Sequence, residues 1–242
     1  MNQPANVEQC YSFVNLQLQP RDGKSYAEKV VAHPRAVTLS RQAGCGALEV
    51  AEKLARLLQA RSPKDAPPWT VFDQNLMEKV LEDHQLSGRF ARFLPEDRMT
   101  ELQDIVDELF GLRPASWTVI QDTAETMLKL ADVGSVILIG RGSNIVTSKL
   151  DDTFHVRLVA PLDQRVERAH RNYNMSLKEA REFCKREDLG RERYLKKYFK
   201  ADVNDPMHYH MILNTGMLSC DEAAKLIADA AVAHTPRYGS HG

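Results

Sequence analysis

Ser40-Arg41-Gln42-Ala43-Gly44-Cys45-Gly46 follows the apolar run Val37-Thr38-Leu39 and leads into Ala47-Leu48-Glu49-Val50-Ala51. Beyond it, Leu54, Leu57 and Leu58 continue the apolar spacing of a helix. A strand, a glycine-containing turn and a helix N-terminus aim backbone N–H groups and a positive dipole end at an anion, so the chemistry suited to this stretch is phosphate binding. The common form of such a loop places Gly, four variable residues, then Gly-Lys-Ser/Thr. Here Gly46 stands at the second glycine and Arg41 at the first, while Ala47 and Leu48 occupy the Lys and hydroxyl positions. A backbone cradle is expected, without its usual cation and metal-binding hydroxyl.

Further candidates sit just past other apolar runs. Asp73 follows Trp69-Thr70-Val71-Phe72 and suits both a ligand contact and the N-cap of a helix expected over 74–81. Gly140-Arg141-Gly142 follows the β-branched run Val136-Ile137-Leu138-Ile139, where an Arg between glycines suits an anion. Ala160-Pro161 and Asn214-Thr215 close two more runs. Residues 162–200 carry twelve Lys/Arg against seven Asp/Glu. A capping box, Ser176-Leu177-Lys178-Glu179, predicts a helix restart within this stretch. Ion pairs four residues apart, such as Glu167 with Arg171, account for most of Arg165, Arg168, Lys178 and Arg181 as solvated charge. Arg186, Asp188, Arg191 and Arg193 remain as cleft-facing candidates. Basic residues interleaved with Tyr194, Tyr198 and Phe199 also fit a single-stranded RNA face, but nucleic acid is not the expected partner. His208 and His210 read as surface or packing residues, and no metal site is identified. Cys45 fits the loop by size, or as a thiol with a lowered pKa.

These residues need a scaffold that gathers them. Short apolar runs alternating with helical periodicity imply an α/β fold: a five-stranded parallel sheet with helices on both faces. Ligands of such sheets sit outside the carboxyl ends of the strands, where the candidates fall. We expect an N-terminal arm over 1–34, a domain over 35–234 and a tail over 235–242. Within the domain, a helical insertion is expected at about 84–116 and a helical lid at about 172–204. The insertion includes an amphipathic helix over 96–110 with an acidic outer face; another helix is expected over 117–131. A second capping box, Ser219-Cys220-Asp221-Glu222, predicts the closing helix. The net charge of −1 and 43% hydrophobic content point to neither a nucleic-acid nor a membrane surface. Cys10, Cys45, Cys184 and Cys220 form no Cys-x-x-Cys pair, as expected of a reduced, cytoplasmic protein. The opening residues lack a signal pattern, and oligomeric state is left open.

Taken in order, the strand ends resemble the cytidylate kinase-like family within the phosphate-loop nucleoside monophosphate kinases. The resemblance rests on Ser40 to Gly46, Phe72-Asp73, Gly140-Arg141-Gly142, Lys185-Arg186-Glu187-Asp188 with Arg191-x-Arg193, and Asp205-Pro206 with Tyr209 and Asn214-Thr215. It covers roughly residues 36–233. It implies a three-layer phosphate-loop NTPase fold and phosphoryl transfer from ATP, with Mg2+, to a nucleoside monophosphate such as CMP. It further implies that Ser40, Gln42, Gly44, Cys45, Gly46, Ala47 and Leu48 hold the donor. Asp73, Gly140, Arg141, Gly142 and Asp188 would contact the acceptor, and Arg41, Arg141, Arg186, Arg191 and Arg193 would act on the transferring phosphates. The altered loop leaves a second reading open: a nucleotide-binding sensor or interaction protein without efficient transfer.

Overall fold

The computed structural model describes residues 34–64, 66–73, 96–111 and 118–234. The arm before Pro34, the helix expected over 74–81, the insertion over 84–95 and the 235–242 tail lie outside the described residues. The strands are β1 (Ala36–Arg41), β2 (Thr70–Phe72), β3 (Val136–Ile139), β4 (Thr153–Val159) and β5 (Met211–Asn214). The helices are α1 (Ala47–Arg61), α2 (Glu96–Phe110), α3 (Thr118–Val133), the short α4 (Ser143–Val146), α5 (Leu162–Tyr173), α6 (Leu177–Phe199) and α7 (Cys220–Ala233). A 3-10 turn, Pro206–His208, precedes β5.

All five strands run parallel in the order β2-β3-β1-β4-β5, the sheet expected from the alternation of elements. Strand periodicity divides the side chains between two faces. Val37, Leu39, Ile137, Ile139, Phe154, Val156 and Leu158 pack against α1 and α7. Ala36, Phe72, Val136 and Leu138 pack against α2 and α3. Each fully buried Leu, Ile or Phe contributes ~1.5–3 kcal/mol, so these two layers hold the domain together.

The second face is not apolar throughout. Thr38 and Ser40 on β1 lie opposite His155 and Arg157 on β4. Thr38 Oγ1 and His155 Nδ1 are 2.9 Å apart, and Arg157 Nη1 donates to Ser40 Oγ at 2.9 Å. The strands therefore carry a buried polar track running toward their carboxyl ends.

Both predicted capping boxes form. Ser176 Oγ accepts from Glu179 N–H and Ser219 Oγ from Glu222 N–H, while each Glu reaches back to its cap's backbone. Asn174, in the left-handed region at φ 53°, ends α5 and lets α6 fold back beside it. Val166, Ala169, Ala180 and Cys184 bury this hairpin against Ala43 of the loop after β1. No helix of the described residues is long and apolar enough to cross a membrane.

Candidate functional site

The carboxyl ends of β1 and β3 and one face of α6 enclose a cleft of about 330 Å3. β1 supplies Ser40 and Arg41, and the turn after β3 supplies Gly140, Arg141 and Gly142. α6 supplies Arg186, Glu187, Gly190, Arg191, Tyr194 and Leu195, which recur at the spacing of one helix face. Four arginines thus meet from three elements that are distant in sequence.

The turn after β3 is built for this meeting. Gly140, Arg141 and Gly142 all lie at positive φ, 79°, 54° and 75°. The left-handed region disfavours a side chain bearing Cβ, so Arg141 is held there against its local preference. A Cβ on Gly140 would overlap the Arg41 guanidinium, which lies across that residue. A Cβ on Gly142 would stand 2.8 Å from the Phe199 ring at the end of α6. The two glycines therefore let Arg41 and α6 close over the turn.

Arg41 is the electrostatic centre. Among the described residues it has no carboxylate within ion-pair distance. Its pKa is pushed down to about 10, first by burial and then by the neighbouring Arg191 charge. Asp73 and Glu187 act on it in the opposite direction. Arg141 donates a hydrogen bond to the Tyr194 hydroxyl, whose own pKa is raised by burial despite that cation. Arg191 pairs with Glu187 and Asp188 at 3.3 Å, whereas Arg186 is largely exposed and lies near the Phe183 ring. A cluster of cations with too few carboxylates attracts an anion, and the guanidinium fork suits phosphoryl oxygens.

The other sequence candidates lie elsewhere. Arg193 is exposed and does not line the cleft. Gln42, Gly44, Cys45, Gly46, Ala47 and Leu48 are beside it rather than in it. Gln42 Oε1 accepts from Ala160 N–H at 3.0 Å, and Cys45 is 1% exposed. Burial raises the Cys45 thiol to about 11, which overrides the arginines near it and corrects the idea of a lowered pKa. Gly46, at φ 82°, precedes α1. The N–H groups of Gly44, Gly46 and Leu48 have no acceptor among the described residues, whereas Ala47 N–H is directed at the Cys45 sulfur. Asp188 latches the lid to the loop: it accepts from Ala43 N–H at 2.7 Å and from Arg165 Nη1 at 2.6 Å.

Arg165 and Arg168 correct the sequence expectation that they are solvated charge. Arg165 is 6% exposed and also donates to the Ala160 and Ala43 carbonyls. Arg168 donates to the Gly44 carbonyl at 3.0 Å and the Thr215 carbonyl at 3.3 Å. The two side chains tie the loop's Ala43 and Gly44 carbonyls to α5. The expected Glu167–Arg171 ion pair is absent among the described residues; Arg171 Nε instead donates to the Glu167 carbonyl at 3.4 Å.

Arg157 was missed altogether. It is 5% exposed, donates to Ser40 Oγ and to Asn204 Oδ1, and lies 5.8 Å from the Tyr209 ring centroid. Its signal was a single cation inside an apolar strand. The described residues contain no group of three or more His, Cys, Asp or Glu placed to hold a metal ion. Leu48 offers no hydroxyl, and Ser40 Oγ is already engaged by Arg157 and Tyr209.

Comparisons with known proteins bear on the family and the fold. The sequence model of the cytidylate kinase-like family matches residues 36–217. Cytidylate kinase from Pyrococcus horikoshii is 26% identical over 174 residues, covering 72% of this chain and 86% of that enzyme. A uronate isomerase from Corynebacterium glutamicum is 26% identical over 118 residues, 49% of this chain but only 22% of the isomerase. Among solved structures, an uncharacterized protein from Eubacterium ventriosum shares the fold, with TM-score 0.63 at 17% identity, over 83% of this chain and 99% of that one. With the family match spanning the sheet, the arginine cleft and α6, the chain belongs to the cytidylate kinase-like family.

Proposed function

We propose that this chain transfers a phosphoryl group from ATP to a nucleoside monophosphate, with a CMP-like acceptor as the first candidate. The observation that carries the reading is Arg41, a partly buried cation without a carboxylate partner among the described residues, facing Arg191 and flanked by Arg141 and Arg186. Phosphoryl transfer asks for positioning and for neutralisation of spreading negative charge, not for a protein nucleophile. Arg41 and Arg141 approach the cleft from the sheet, and Arg186 and Arg191 from α6. Tyr194 holds the Arg141 guanidinium, and the open amides of Gly44, Gly46 and Leu48 offer donors for a neighbouring phosphate. Asp188 keeps α6 seated on that loop.

ATP supplies the transferable group. Magnesium sites of this kind are built largely from substrate phosphates and one or two carboxylates, so the cation arrives with the triphosphate. Glu187, held by Arg191, lines the cleft wall, and the Asp73 charge acts on Arg41.

The test is ADP formation from ATP, magnesium and a panel of monophosphates. Saturable turnover on at least one acceptor, falling ~10²–10³-fold in Arg141→Ala, supports transfer. The second reading, nucleotide binding without turnover, is favoured by Ala47 and Leu48 and by the Asp188 carboxylate on the Ala43 amide. Calorimetric nucleotide binding with no ADP formed from any acceptor would select it.

A further inference from the structure

Arg157 is the buried cation to which the arginine cleft gives no direct role. It stands on β4 between the fully buried Val156 and Leu158 and is itself 5% exposed. Its partners are a hydroxyl, a side-chain amide oxygen and a ring: Ser40 Oγ at 2.9 Å, Asn204 Oδ1 at 3.0 Å, and Tyr209, whose centroid is 5.8 Å away. Among the described residues none of its partners is a carboxylate. A buried charge is costly unless paired, and an apolar residue in its place is often neutral or stabilising. Stability alone does not account for an arginine here.

What its guanidinium holds stands at the cleft. Ser40 and Arg157 are register partners on the adjacent parallel strands β1 and β4, so the sheet sets them side by side. Ser40 lines the arginine cleft and immediately precedes Arg41, the cation at its centre. Arg157 does not line the cleft itself, and its route to a ligand there is the Ser40 hydroxyl.

The hydrogen bonds around Ser40 Oγ decide what its proton can do. A hydroxyl carries one donor proton and two acceptor sites, whereas a guanidinium only donates, so Ser40 Oγ accepts from Arg157. The Tyr209 hydroxyl lies 2.9 Å from the Val203 carbonyl and 3.3 Å from Ser40 Oγ. The carbonyl can only accept, so Tyr209 gives its single proton to Val203. The Ser40 proton is left with the Tyr209 oxygen at 3.3 Å, longer than the ~2.5–3.0 Å of a good O–H···O bond. Ser40 is therefore an under-used donor, polarised by the neighbouring guanidinium, in the wall of a cleft suited to anions.

We propose that Arg157 is a positioning residue of the arginine cleft: it holds the Ser40 hydroxyl so that its proton is donated to a phosphoryl oxygen of the bound nucleotide. Ser40 makes the contact, and Arg157 acts only through it. The buried cation thereby occupies the acceptor side of the hydroxyl and leaves its donor side for the ligand. The assignment rests on phosphate binding in that cleft, for which Arg41→Met is the independent control.

ATP and, separately, CMP are titrated calorimetrically into the full chain, Arg41→Met, Ser40→Ala, Arg157→Met and the Ser40→Ala/Arg157→Met double variant. For a nucleotide that Arg41→Met weakens, Ser40→Ala and Arg157→Met should each lower affinity about tenfold. The double variant should also lose only about tenfold, because both changes remove the same hydrogen bond. Arg157→Met should leave the melting temperature unchanged or higher, since Asn204 is exposed to water and Ser40 keeps Tyr209. A merely structural arginine gives the opposite pair, a lower melting temperature with affinity kept, and that result would overturn the proposal. Ser40→Ala removes a single oxygen atom and decides the matter where Arg157→Met does not fold. Wild-type affinity in Ser40→Ala, beside a loss in Arg41→Met, would overturn the positioning role alone. A loss of about a hundredfold in the double variant would also overturn it, by showing that Arg157 acts independently of Ser40. Unchanged affinity for both nucleotides in Arg41→Met would remove phosphate binding in the cleft, and this role with it.

Discussion

Replacing Asp188 by Asn tests whether α6 is latched to the loop by charge. The carboxylate accepts from Ala43 N–H at 2.7 Å and from Arg165 Nη1 at 2.6 Å, with Arg191 Nη1 at 3.3 Å. The Arg165 side chain is 8% exposed and that of Asp188 27%, so the pair lies between an exposed and a fully buried ion pair. Exposed pairs contribute ~0–1 kcal/mol, and breaking a buried one costs ~3–5 kcal/mol. Asn keeps an acceptor for Ala43 N–H but leaves Arg165 without its counter-charge, so a loss of about 2 kcal/mol is expected. With a urea dependence of ~2 kcal/mol per molar, the unfolding midpoint should drop by about 1 M. A double-mutant cycle with Arg165→Met, followed by far-UV circular dichroism in urea, isolates the pairwise part, expected at ~1–2 kcal/mol. A coupling energy below ~0.5 kcal/mol would refute the latch, because solvent-screened surface pairs show no more than that.

Three other perturbations address the cleft and the buried polar track. Gly140→Ala forces a Cβ into the Arg41 guanidinium at a residue with φ 79°. It should cost about 1–2 kcal/mol of stability, and its effect on nucleotide affinity should not add to that of Arg41→Ala; full additivity by calorimetry would count against the overlap. Gly190 has no atom within 4 Å of where a Cβ would stand, yet it lines the cleft within α6. Gly190→Ala should therefore raise stability by about 0.5–1 kcal/mol in urea melts while weakening nucleotide binding. His155 is held to a pKa of about 3, first by burial and then by His210 and His234. A base with a depressed folded pKa contributes in full above about pH 6.5 and loses that contribution as pH falls toward 3; about 2 kcal/mol should be gone by pH 5. His155→Gln should flatten the pH dependence of the urea midpoint over that window.

Local chemistry made much of the fold legible. Val136 to Ile139 reads as a strand buried on both faces because no polar residue interrupts it, and each capping box announces its helix within four residues. The loop from Ser40 to Gly46 and the turn Gly140-Arg141-Gly142 were visible because glycines next to cations are unusual at strand ends. The rest depended on contacts between distant residues. Arg165 and Arg168 have the spacing of a solvated helix face, and nothing nearby in sequence shows that Ala43, Gly44, Ala160 and Thr215 would offer them carbonyls. Arg157 is tolerated inside β4 only because Ser40 and Asn204 arrive from elsewhere. Arg193 shares a basic run with Arg191, but the helical repeat turns it from the cleft face defined by residues 186–187, 190–191 and 194–195.

The most direct test of the arginine cleft is calorimetric titration of ATP into wild-type protein, Arg41→Met and Arg193→Met. Arg41 lines the cleft without a carboxylate partner among the described residues, whereas Arg193 is exposed outside it. Removing one charge-assisted phosphate contact costs ~1.5–3 kcal/mol. ATP should therefore bind Arg41→Met about 10–100-fold more weakly, while Arg193→Met retains the wild-type affinity. Equal affinities for Arg41→Met and wild type, or a loss in Arg193→Met as large as that in Arg41→Met, would contradict the arginine cleft as the phosphate site.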